Sequence, residues 1–145
     1  MILALHELKQ SKKNRKALLI ISDGGDNSSR FTESELKSLV RESDALIYAI
    51  GVYGGAATPE EMSGPELLKQ ITEQSGGRHL EANPLEMPDI AAKIGLELRN
   101  RYILGYSPTE QHRDGRYHPV QVKVVPPRGL PPLHLSWRRG YYAVN

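Results

Sequence analysis

The stretch that most constrains the fold is Lys16–Ser29, KALLIISDGGDNSS. Ala17, Leu18, Leu19, Ile20 and Ile21 form an unbroken apolar run with no polar alternation. A run of that length, closed by Ser22 and a glycine pair, reads as a strand buried on both faces, as in a parallel α/β sheet. Asp23 stands at its carboxyl end, ahead of Gly24, Gly25 and Asp26. Loops at the carboxyl ends of parallel strands are where α/β proteins place their chemistry. A hard carboxylate oxygen on a rigid base suits Mg²⁺, Mn²⁺ or Ca²⁺. Asp23 is therefore a candidate metal ligand, and Asp26 a weaker one. On residue types alone, both serve equally well to cap a turn, and Asp26, Ser28 and Ser29 suit a cap for the next helix.

The rest of the amino-terminal two-thirds repeats the strand-then-helix rhythm. Ile2, Leu5 and Leu8 recur at helical spacing, so a helix is expected over residues 2–12, with lysines at its negative end. Thr32-Glu33-Ser34-Glu35 fits a capping box and starts a helix near residue 33, with Leu36, Leu39 and Val40 as its apolar stripe. Ala45–Val52, ALIYAIGV, predicts a second buried strand. Residues Tyr53–Ser63 read as a polar loop on the same sheet edge as Asp23. Pro65 then opens a third helix that buries Leu67, Leu68 and Ile71 and stops at Gly76-Gly77. Arg78–Glu81 is a short strand, and Pro88 opens a fourth helix with Ile90, Ala91, Ile94 and Leu98 on one face. Strands alternating with helices in this way imply right-handed crossovers and a mostly parallel sheet flanked by helices.

The pattern changes after residue 101. Tyr102–Ser107, the alternating Val120, Val122 and Val124, and the alternating Leu133, Leu135 and Trp137 have the period-2 character of antiparallel strands. The division expected is an α/β part over 1–101 and a β extension over 102–145, packed together. Trp137, Tyr141 and Tyr142 would anchor that packing or an interface.

Composition narrows the chemistry. The 145 residues contain no cysteine, which removes disulfides, thiolate metal sites and a Cys nucleophile. A net charge of +2, and a basic run (Lys9–Lys16) without interleaved aromatics, gives no case for nucleic acid. No apolar stretch approaches the roughly 18 residues of a membrane span, and Met1–Gln10 does not read as a signal peptide. The five histidines are scattered without ligand spacing. A hydrolase built on Asp23 and Asp26 would need a second ligand group and an acid–base, and no convergent set is visible.

Lys16–Asn27 resembles the fourth strand and following turn of von Willebrand factor A (VWFA) domains, a hydrophobic run ending in Ser/Thr-Asp-Gly. Ala45–Gly51 resembles the next strand. Tyr102–Pro108, Asp114–Val124 and Gly140–Ala143 resemble the ending of a bacterial subgroup, the VWFA-related proteins of acidobacteria. The resemblance implies a doubly wound, Rossmann-like fold with a metal-ion-dependent adhesion site (MIDAS) at its carboxyl edge. Of that site's three loops only the last is matched here, by Asp23, and no Asp-x-Ser-x-Ser turn is present. The function that the resemblance implies is that of a non-enzymatic, adhesion-type module, which takes an acidic side chain of a protein partner. On that resemblance, the chain is expected to carry only part of the family's domain, and its metal binding is expected to be weak or absent in this chain alone. The resemblance also suggests an exported or cell-surface setting. In the family's order the first strand lies beside the fourth, so strand 17–21 is left as an open edge able to self-associate.

Overall fold

A computed structural model describes residues 1–22, 32–52, 59–109, 114–129 and 133–143, with 59–63 described by backbone alone. The elements in chain order are α1 (Ile2–Gln10), β1 (Ala17–Ser22), α2 (Glu33–Glu42), β2 (Leu46–Gly51), α3 (Pro59–Ser75), β3 (His79–Glu81), α4 (Met87–Arg99), β4 (Tyr117–Pro119) and β5 (Gly140–Tyr142). β1, β2 and β3 form a parallel sheet in that order, and β4 and β5 form a separate antiparallel pair.

The core is organised on β2, every residue of which is buried. Its side chains alternate between two clusters, as strand geometry requires. Ile47 and Ala49 join Leu5 of α1, Leu36 and Val40 of α2, and Leu68 and Ile71 of α3. Leu46, Tyr48 and Ile50 join Ala82 and Ile94 of α4 on the opposite side, with Ile90 and Leu98 at its margin. Helices therefore cover both faces of the sheet. The strands are added in one direction only, and right-handed crossovers in such a sheet put their helices on one face. α2 and α3 accordingly share a cluster.

Local signals explain the helix limits. Thr32 is the N-cap of α2: its side chain accepts from the Glu35 N–H, while the Glu35 carboxylate accepts from the Thr32 N–H at 2.8 Å. Such a cap contributes about 0.5–2 kcal/mol relative to alanine. The cap falls to Thr32, not to Asp26, Ser28 or Ser29. Leu36 and Val40 are buried as expected from their spacing, whereas Ala91 of α4 is exposed. α3 ends at Gly76, whose φ of +87° is left-handed backbone that favours glycine.

Four expectations change. β1 is not buried on both faces: its burial alternates, with Leu18 and Ile20 packed against the first cluster and Leu19 and Ile21 45% and 59% exposed. The reason is position, since β1 is the end strand among the described residues and α4 packs on β2 and β3 rather than across it. α3 begins at Pro59 rather than Pro65, so residues 59–63 are helical, not loop, and Pro65 lies inside the helix. Both prolines satisfy the fixed φ of a first helical turn, and the upstream one sets the start. Residues 53–58 lie outside the described set.

Tyr102–Ser107 and the runs 120–124 and 133–137 are not strands. Among the described residues of this part, the strand pairing is that of 117–119 with 140–142, because alternation supplies a strand's faces but not the backbone partner that makes a ladder. Tyr102, Ile103, Leu104 and Val125 are accordingly exposed. The antiparallel ribbon still rests on the α/β part. Arg138 donates to Asp44 Oδ1 at 2.6 Å and to the Arg41 carbonyl at 2.7 Å, and the Arg139 N–H reaches the Gln74 carbonyl. Trp137 Nε1 donates to the Val120 carbonyl at 2.9 Å, and Arg139 stacks on the Trp137 ring at 4.1 Å.

Candidate functional site

The carboxyl edge of the sheet is built by the ends of β1, β2 and β3, where Ser22, Gly51 and Glu81 lie in register. Ser22 is the last residue of β1 and pairs with Gly51, and the Val52 N–H donates to the Ser22 carbonyl at 2.9 Å. This pairing fixes where the chain leaves the sheet. Asp23 follows Ser22 directly in sequence, but Asp23 and Asp26 both lie outside the described residues, as does the whole of the segment 53–58. Among the described residues no group of three or more His, Cys, Asp or Glu side chains is placed to hold a metal ion. The described part of this edge therefore contributes Ser22, the exposed Glu81 at the end of β3 and backbone, and these do not in themselves make a donor set for a divalent cation.

A shallow cleft of about 270 Å³, which no sequence motif announces, opens at the opposite, amino end of the sheet, between the end of α3 and residues 135–139. Its walls include Lys69, Glu73, Arg78, His79, Trp137 and Arg139. Arg78 donates to Glu97 Oε1 at 2.7 Å. Burial pushes the His79 imidazole below its ordinary value, against the opposing pull of Glu81. Nearby, burial first and Glu97 second push the Tyr48 phenol up, while burial pulls the Arg101 guanidinium down. Tyr48, Arg78, Glu97 and Arg101 thus form one polar group around the end of α4. Their spacing in the sequence is irregular, because they come from β2, the residue just before β3, α4 and the segment just after it.

On the ribbon, His118 Nε2 lies 3.0 Å from Asp114 Oδ1, and its ring stacks on Tyr141. The hydrogen bond from His118, followed by that from the Arg116 N–H, holds the Asp114 carboxyl below the ordinary range.

No known family profile and no curated protein matches this chain. Its fold is similar, at 21% identity and a TM-score of 0.48, to a crystal structure described as an uncharacterized membrane spanning protein from Vibrio fischeri. The similarity covers 66% of this chain and 52% of that one, so the chain spans about half of that structure's length. Among the described residues no helix is long and apolar enough to cross a membrane.

Proposed function

We propose that this chain is a non-enzymatic, protein-binding module of the VWFA kind, in which β1–β3 supply one half of a doubly wound sheet. It retains one part of a divalent-metal adhesion site, the share carried by Asp23, with Asp26 as a weaker contributor. The reading is carried by one observation: β1 and β2 run parallel in full register, so β1 ends at the carboxyl edge with Ser22, the residue that Asp23 follows in sequence. In the complete family the metal keeps a coordination position for a partner's acidic side chain. Here Asp23, even with Asp26 beside it, would leave most of the roughly six oxygens wanted by Mg²⁺ to water. When bound, the cation would supply a Lewis-acidic contact to that partner carboxylate. Asp23 would hold the cation from the sheet edge, directly or through water.

Isothermal titration of the chain with Mg²⁺ and Mn²⁺ is expected to show no binding tighter than millimolar. Micromolar binding would refute the incomplete site. The same preparation should not hydrolyse generic phosphate or carboxylate esters. A hydrolytic activity lost in Asp23→Ala would replace the binding module by a metal-assisted hydrolase.

A further inference from the structure

We infer that the open edge of β1 takes the β1 of a second copy of this chain, antiparallel, so that two three-stranded sheets become one. Among the described residues no strand lies beyond β1. The carbonyls of Lys16 and Ser22 point toward β2, where they accept from Leu46 and Val52. By the alternation of a strand, the N–H and C=O groups of Ala17, Leu19 and Ile21 point the other way, along the free edge. Their side chains are the exposed set of the burial pattern.

One stretch is thus open twice, along its backbone edge and on its apolar face. Natural edge strands are blunted by charge, proline or a bulge. Ala17–Ser22 contains no charged residue and no proline, and its register with β2 runs without a break.

The outward groups choose the register. With a two-fold axis at Leu19, Leu19 faces Leu19 of the second copy, and Ala17 faces its Ile21. Each of these is a narrow pair able to exchange two main-chain hydrogen bonds. That register also brings the exposed side chains side by side on one face of the joined sheet. Charge favours the antiparallel sense as well. The sequence entering the strand is basic (Lys12, Lys13, Arg15, Lys16), and the sequence leaving it is acidic (Asp23, Asp26). Antiparallel copies set unlike ends together, whereas parallel copies set like ends together. A two-fold contact closes on itself, so the product is a dimer and not a fibre.

Sedimentation velocity on the full chain tests this. The weight-average mass should rise from 16.2 kDa toward twice that value as concentration is raised. Leu19→Lys and Ile21→Lys, at exposed positions that the folded chain tolerates, should hold the mass at that of one chain. Leu3→Lys on α1, also exposed, should dimerise as the parent does. Far-ultraviolet circular dichroism of each variant checks that it is folded. A monomer throughout would overturn the inference and leave the edge to a strand of another protein. Association that persists undiminished in both strand variants, or that runs on to higher oligomers, would overturn it as well.

Discussion

Replacing Gly77 by alanine is expected to abolish cooperative folding, or to cost more than about 4 kcal/mol, the exceptional end of single-substitution effects. The cause is a close approach between two main chains. A Cβ on Gly77 would overlap the carbonyl oxygen of Ile47 and lie 2.7 Å from its carbonyl carbon. Neither backbone is able to yield cheaply. Ile47 sits in the fully buried central strand, in register with Leu18. The Gly77 N–H is held by the Thr72 carbonyl at 2.9 Å.

Ser75 locks the same junction. Its hydroxyl accepts from the Ile47 N–H at 2.9 Å and donates to the Thr72 carbonyl at 2.8 Å. That hydroxyl stands in for a β3 ladder partner, because β3 pairs with β2 only from Ala49 onward. The control is Gly95→Ala on α4, where an added Cβ meets nothing within 4 Å. It should be neutral or stabilising by up to about 1 kcal/mol, since glycine is a poor helix former. Thermal melts of both variants followed by circular dichroism decide the matter.

The second large effect concerns two aliphatic side chains that look alike in the sequence. Ile47→Ala should cost about 2–5 kcal/mol, because a wholly buried side chain loses its transfer energy and leaves a cavity between three helices and the sheet. Leu19→Ala, measured where the chain is monomeric, should cost under about 1 kcal/mol, because nearly half of that side chain is already in water. For a domain of this size each kcal/mol moves the melting temperature by about 2–4 °C. Equal losses for the two would mean that β1 is covered and not an edge.

That contrast marks where the sequence is legible. The capping box at Thr32, the Gly76-Gly77 stop, the stripe of Leu36 and Val40 and the buried strand after Ala45 are local devices, and each lies where its residues place it. ALLII and ALIYAI are the same signal for burial. What separates them is how many strands and helices lie beside each, a matter of topology that no window of sequence contains. The same limit explains the carboxyl-terminal third. VQVKV and LHLSW have strand alternation but no ladder partner among the described residues, and the pairing falls instead to Tyr117–Pro119 and Gly140–Tyr142. The start of α3 is ambiguous for a different reason, since Pro59 and Pro65 satisfy the same rule.

Of the candidate site, only the direction of its supporting strand and the edge it faces follow from the sequence and are seen in the fold. Asp23 and Asp26 themselves lie beyond the described residues. The amino-edge cleft is illegible in the sequence, because it joins the end of α3 to residues 135–139 across a large gap in the chain.

If Asp23 supplies the weak cation position proposed above, Mn²⁺ should gather where β1 ends, at the carboxyl edge of the sheet. The most direct measurement is Mn²⁺-induced broadening of amide resonances in the uniformly labelled chain. Broadening should be strongest at Ser22, Gly51 and Val52, absent at Ser75–Arg78, and lost in Asp23→Ala. Broadening centred on the amino-edge cleft, or a pattern unchanged by Asp23→Ala, would contradict it.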